Sequence, residues 1–305
     1  MRVMIALDAT PQCVEIVRAA ACRPWPQGSC FLLLHVLDPF PFAKAPLSLG
    51  YAKGAAEQQL KSAAQILEEA GWKTDSAVVS GRPRKLIWQE AQSWKADLLL
   101  VGSNETDTLT RLLLGSTARA VLHHAPCSVE IVRPASQRRK GEKLRILCPT
   151  DGSKYSLAAL RSVANRPWPE GSELKVISIP EPFQPPGQLC NFEFKEMEEL
   201  NAAAIEDAKK CAIEGAEILS KTGLKTILQT PLRRRSDAEE IVKLAKNWGA
   251  HLIVMGSHGR RGFDRMAIGS VSEDVAFDAT CSVEVIQTPL PAQAKSKQHL
   301  QQAAA

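Results

Sequence analysis

The chain has no apolar run near the roughly 18 residues that a membrane-spanning helix requires. Its opening segment, MRVMIALDAT, carries neither an extended apolar stretch before Asp8 nor a small-residue cleavage site. That segment reads as a first strand and not a signal peptide, so a cytoplasmic protein without a membrane partner is expected. Aromatic residues are scarce, at 5% of 305 residues, and the net charge of +5 is mild. The basic clusters Arg138–Lys140, Arg233–Arg235 and Arg260–Arg261 are short and have no tryptophan beside them. A nucleic-acid surface needs a longer basic stripe with interleaved aromatics, so that partner is not expected. The eight cysteines run from Cys13 to Cys281 without a CxxC, and several sit in apolar runs. They read as reduced, small hydrophobic side chains and not as a disulfide framework. His35, His123 and His124 lack companions at metal-ligand spacing and read as structural or surface groups. There is no GxxxxGK[ST] segment and no obvious carboxylate cluster for two metals, which argues against fast phosphoryl chemistry.

What the chain does have is a duplication. RPWPQGS at Arg23–Ser29 returns as RPWPEGS at Arg166–Ser172. Asp8 and Asp151 share the same separation of 143 positions, whereas Gly102/Gly256, Gly115/Gly269 and Cys127/Cys281 each lie 154 apart. A period near 150 describes two domains, each long enough for its own core. We expect them at 1–134 and 143–288, joined by a polar linker at 135–142 and followed by a disordered Ala/Gln-rich tail at 289–305.

Each copy alternates short apolar runs with helical patterns. Strands are predicted near Val3–Leu7, Cys30–Leu37, Ser76–Ser80, Ala96–Val101 and Ser128–Val132, then near Leu144–Cys148, Leu174–Ile179, Thr226–Thr230, His251–Met255 and Ser282–Ile286. Continuous apolar strands such as LLLV and LIVM imply burial on both faces. The fold class is therefore α/β: two tandem, doubly wound, Rossmann-like parallel sheets. Met197, Ala204, Cys211 and Ile218, with Leu200, predict a long amphipathic helix in the second copy; Leu60, Ala64 and Leu67 predict a shorter one in the first. The proline-rich segments Pro39–Pro46 and Pro180–Gly187 read as mobile flaps without regular structure. The short, β-prone strands SVEIV and SVEVI end the two repeats, and their pairing within one chain is expected because it would hide both edges.

The chemistry concentrates after the fourth strand of copy two. There Gly256, Gly259 and Gly269-Ser270 follow one another in a G-x2-G-x9-G-S pattern. Gly256 and Gly259 are expected to bring backbone close to a ligand at unusual dihedrals, and Gly269–Ser272 to open a helix whose free N–H groups hold phosphate. The partner element is PTDGS at Pro149–Ser153, at the carboxyl end of the first strand, where an open α/β sheet places its ligand crevice. His258 is a candidate phosphate or acid–base group, and Arg260 and Arg261 are candidates to neutralise phosphate.

With PTDGS and this glycine spacing in both the right order and the right setting, the chain resembles a tandem universal stress protein of the UspA family, over about 1–133 and 143–287. The second copy resembles the ATP-binding branch. The resemblance implies a 3-2-1-4-5 strand order and dimerisation through the fifth strand. It places Pro149, Thr150, Asp151 and Ile179 at the adenine and ribose end, Met255 and Gly256 on the ribose side, and Gly259, Gly269, Ser270, Val271 and Ser272 at the phosphates. The implied cofactor is ATP, with Mg²⁺ using phosphate oxygens plus Ser270 or Ser272. Copy one keeps Asp8, Gly102, Gly115 and Ser116, but has Glu105 where copy two has Gly259 and ALDAT where copy two has PTDGS. A carboxylate in a phosphate cradle repels, so one nucleotide per chain is expected. The expected function is an ATP-binding stress-response regulator with an unidentified protein partner and possible homo-oligomerisation. The alternatives are a slow ATPase or phosphotransferase using Asp151 or His258, and a ligand-free dimerisation scaffold.

Overall fold

The computed structural model describes residues 1–8, 10, 13–42, 46–103, 114–133, 141–181, 194–260 and 268–287. The first half contains β1 (Arg2–Leu7), α1 (Cys13–Cys22), β2 (Cys30–Leu37), α2 (Pro46–Glu69), β3 (Lys73–Ser80), α3 (Pro83–Ser93), β4 (Leu98–Gly102), α4 (Ser116–His124) and β5 (Ser128–Val132). The second repeats the plan with β6 (Arg145–Pro149), α5 (Lys154–Ala164), β7 (Glu173–Ile177), α6 (Phe194–Leu219), β8 (Lys225–Gln229), α7 (Asp237–Trp248), β9 (Leu252–Gly256), α8 (Ser270–Asp278) and β10 (Ser282–Ile286). All ten predicted strands are present. They form one sheet in the order β3-β2-β1-β4-β5-β10-β9-β6-β7-β8. Each half is thus a parallel 3-2-1-4-5 sheet, and the halves join through antiparallel β5 and β10, with Glu284 opposite Glu130.

The two faces of this sheet differ. On one, a single core runs through both halves, from Met4, Leu99 and Val121 to Ile253, Val275 and Val283. On the other, each half has its own core, around Val17, Phe31 and Leu60 in the first and Leu160, Val176 and Leu219 in the second. Strand β4 alternates between the two cores, Leu98 and Leu100 to one side and Leu99 and Val101 to the other, as a strand covered on both faces must.

The junction carries the polar part of the duplication. Arg23 of the first RPWP string makes a bidentate buried pair with Glu130, at 2.7 and 2.6 Å, and Arg166 of the second reaches Glu284 at 3.0 Å. Each guanidinium also lies over the tryptophan of its own string. The indoles donate to the Ala20 and Val163 carbonyls, which pins the turn that aims the arginine. Across the junction, Arg133 donates to the Ala276, Phe277 and Cys281 carbonyls near the end of α8. Glu273 accepts from Arg119 at 3.2 Å, and His123 lies 2.9 Å from the same oxygen. Arg119 and Glu273 stand at matched positions of the two repeats, so the halves have diverged into complementary partners.

Three expectations need correction. Helix α2 is nearly as long as α6, at 24 against 26 residues; its first turns expose Leu47 and Tyr51 and so lack the apolar stripe that periodicity detects. On α6 the buried face follows Ala208, Cys211, Ala212 and Leu219, while Leu200 is exposed. In the first flap, Phe40–Phe42 forms a 3₁₀ turn closed by Phe42 N–H donating to the Pro39 carbonyl. The second flap from residue 182, the linker to residue 140 and the tail lie outside the described residues, as do Glu105 and Arg261. No disulfide is formed among the seven described cysteines. Burial pushes the Cys127 and Cys148 thiols up to about 12, consistent with side chains that pack and do not react. Among the described residues no helix is long and apolar enough to cross a membrane.

Candidate functional site

In the second half β6 and β9 are neighbours, so Pro149–Asp151 and Gly256–Gly259 leave the sheet side by side at its carboxyl edge. The Asp151 side chain is central there. Its Oδ1 accepts from Ser153 N–H at 3.0 Å and its Oδ2 from Arg260 N–H at 2.8 Å. Burial opposes ionisation, but the hydrogen bonds from Ser153, Ser156 and Arg260 outweigh it and hold the carboxyl below the usual carboxylate range. Ser153 caps α5 by accepting from Ser156 N–H, and Thr150 Oγ1 lies 3.1 Å from Ser156 Oγ.

The glycines play different parts from those the spacing suggested. Neither Gly256 nor Gly259 has a positive φ; that conformation belongs to Gly152 of PTDGS, at +75°. A Cβ on Gly256 would stand 2.6 to 2.8 Å from backbone atoms of Tyr155 and Ser156. This glycine therefore lets the first turn of α5 pack onto β9. A Cβ on Gly259 would stand 3.0 Å from Asp151 Oδ2, so this position faces the site itself. Gly256→Ala is expected to cost about 1–3 kcal/mol through backbone overpacking, and Gly259→Ala under about 1 kcal/mol, since an exposed loop position opposite one carboxylate can shift. Urea unfolding of the two variants checks the order.

Gly269 precedes α8 and donates to the Ser257 carbonyl at 2.7 Å. This aims the N–H groups of Ser270, Val271 and Ser272 out of the first turn of the helix. Ser270 is exposed. Ser272 is buried, and its hydroxyl donates to the Gly256 carbonyl at 2.8 Å, so only its backbone remains for an anion. Met255 is buried beneath the edge, and Ile179 lies half-buried just beyond β7. His258 packs on Tyr155 at a centroid distance of 4.9 Å, with Nδ1 3.0 Å from Ser257 Oγ.

Arg260 is not aimed at an open cradle. Its guanidinium binds Asp207 at 2.6 Å, the Asp151 carbonyl and Cys211 Sγ at 2.9 Å, tying the loop after β9 to α6. Asp207, Cys211 and Gly152 were not among the predicted site residues; a Cβ on Gly152 would meet Cys211 Sγ at 2.8 Å. Among the described residues no group of three or more His, Cys, Asp or Glu side chains is placed to hold a metal.

The first half builds a related edge. Asp8 Oδ1 accepts from Thr10 N–H at 3.0 Å and from its hydroxyl, forming a local turn. Gly115 donates to the Ser103 carbonyl ahead of α4 as Gly269 does ahead of α8. Here, however, Gln59 and not an arginine bonds the Asp8 carbonyl, at 3.2 Å. A Cβ on Gly102 would meet only the tip of Ile16, at 2.9 Å. A cavity of about 350 Å³ opens at this edge.

The universal stress protein family matches the chain twice, over residues 1–133 and 144–287. A universal stress protein of Mycolicibacterium smegmatis is 26% identical over 298 residues, covering 93% of this chain and 96% of that protein. One from Methanocaldococcus jannaschii is 33% identical over 153 residues, 50% of this chain and 87% of that protein. Among solved structures, a universal stress protein from Archaeoglobus fulgidus superposes with a TM-score of 0.64 at 20% identity, covering 94% of this chain and 98% of that one. With both halves matched and the tandem architecture shared, this chain belongs to the universal stress protein family.

Proposed function

We propose that the protein is a cytoplasmic ATP-binding regulator of the stress-response type, holding one nucleotide in its second half. The observation that carries this reading is the juxtaposition at the carboxyl edge of β6 and β9. The α8 N-terminus, with Gly269–Ser272 N–H groups and its positive dipole end, suits phosphates. Asp151, held ionised beside the side-chain-free Gly259, suits ribose hydroxyls. Pro149, Thr150, Ile179, Met255 and Gly256 complete the adenine and ribose end. Mg²⁺ would take its oxygens from phosphates, water and the exposed Ser270 hydroxyl.

The output is binding and not turnover: occupancy would alter the Arg260 link to α6 and so the surface offered to a protein partner. Acid release of nucleotide from the purified protein, followed by chromatography, should yield adenine nucleotide at up to one per chain. Multiple-turnover phosphate release should stay at background. EDTA should weaken ATP binding; unchanged affinity would remove Mg²⁺ from the account.

A further inference from the structure

The turn that carries Asp151 is strapped to α6 by a single residue. The side chain of Arg260, from the loop after β9, donates through Nε to the Asp151 carbonyl, through Nη1 to Asp207 Oδ2 at 2.6 Å and through Nη2 to Cys211 Sγ at 2.9 Å. Its backbone N–H donates to Asp151 Oδ2 at 2.8 Å. One residue thus holds both the main chain and the carboxylate of Asp151. Gly152 makes room for it: a Cβ there would stand 2.8 Å from Cys211 Sγ and 3.4 Å from Arg260 Nη2, at a φ of +75° that other residues rarely adopt.

The first half has none of these four residues. Aligning the buried faces of α2 and α6, Ala56, Leu60 and Leu67 against Ala208, Ala212 and Leu219, puts Ala55 at the position of Asp207 and Gln59 at that of Cys211. By the repeat separations, Ala9 and Thr106 stand where the second half has Gly152 and Arg260. Gln59 instead reaches the Asp8 carbonyl directly from α2, at 3.2 Å. The strap therefore occurs with the intact glycine pattern and not with the degenerate one.

The Arg260 and Asp207 side chains are about half exposed, at 50% and 54%, and an ion pair so placed contributes little to global stability. Its effect is local. Each Asp151 oxygen accepts one backbone N–H, from Ser153 and from Arg260, and keeps acceptor capacity for a hydroxyl. Such a bond forms only within a few tenths of an ångström of its ideal length, so the carboxylate must be held in place.

We propose that Arg260 and Asp207 are positioning residues for sugar recognition: the strap holds the Asp151 carboxylate where ribose hydroxyls can donate to it, and so sets a preference for ribonucleotides over dideoxynucleotides. The inference rests on the nucleotide reading of the second half. Asp207 acts through Arg260, and Arg260 through Asp151. The phosphate end is built on a different element, the start of α8, where Gly269 is fixed by its bond to Ser257.

Calorimetry on the full chain with ATP and with 2′,3′-dideoxy-ATP tests this. Hydroxyl donation to a carboxylate should favour ATP by about tenfold in the unaltered protein. Asp207→Ala, at an exposed helix position, should reduce that preference to about twofold or less. Arg260→Ala should do the same, and any contribution of its charge to binding both nucleotides cancels in the ratio. A preserved tenfold preference in either variant, whatever the change in affinity common to the two nucleotides, would overturn the role of the strap and leave the nucleotide reading standing. Equal affinity of the unaltered protein for the two nucleotides would overturn it by removing Asp151 from the sugar. Binding of neither would overturn it together with the nucleotide reading.

Discussion

Replacing Glu130 with alanine is expected to destabilise the protein by about 3 kcal/mol, the lower end of the range for breaking a buried ion pair. The guanidinium of Arg23 is buried and spends both terminal nitrogens on this carboxylate. Removing the acid strands it. Glu284, opposite Glu130 across β5 and β10, supplies some residual attraction, which is why the upper end is not expected. The equivalent Glu284→Ala should cost less. The Arg166 pair has a single contact and already leaves Arg166 Nη2 and Glu284 Oε1 without partners among the described residues. The double change Arg23→Met with Glu130→Leu should recover most of the loss, since apolar groups of similar volume carry no desolvation cost. Urea unfolding of the three variants tests this, and equal costs for the two single alanine variants would contradict the asymmetry.

Gly259→Glu is expected to weaken ATP binding by at least about a hundredfold while leaving the unfolding midpoint nearly unchanged. Two effects act in the same direction. The new side chain starts 3.0 Å from Asp151 Oδ2, where nothing larger than hydrogen now stands. Its charge then faces both that carboxylate and the bound phosphates. Two like charges at about 4 Å repel by roughly 4 kcal/mol at an effective dielectric near 20, and even half of that after solvent screening is more than tenfold in affinity before the steric effect is added. The position is exposed on a loop, so the core does not register the change. Glu105→Gly in the first half should restore at most weak nucleotide binding, because ALDAT still lacks the Pro149-Thr150 context.

The strands were readable because a sheet covered on both faces writes continuous apolar runs, and because the duplication supplied each run twice; their order followed from the family resemblance. The start of α2 was not, since Pro46–Gly54 contains two glycines and exposed apolar residues and so has no stripe to detect. The RPWP strings announced the repeat but not their purpose; Arg23 finds Glu130 across 107 positions and Arg166 finds Glu284 across 118. At the candidate site, spacing located the glycines but did not show why Gly256 has no side chain: a Cβ there would meet the backbone of α5. The partners of Arg260, Asp207 and Cys211, lie 53 and 49 positions away on another helix, beyond any local pattern.

Calorimetric titration of the full chain with Mg-ATP, beside Gly259→Glu, tests the central claim most directly. One nucleotide per chain in the unaltered protein, and none in the variant, is the predicted result. Two equivalent sites, or undiminished binding in Gly259→Glu, would contradict it.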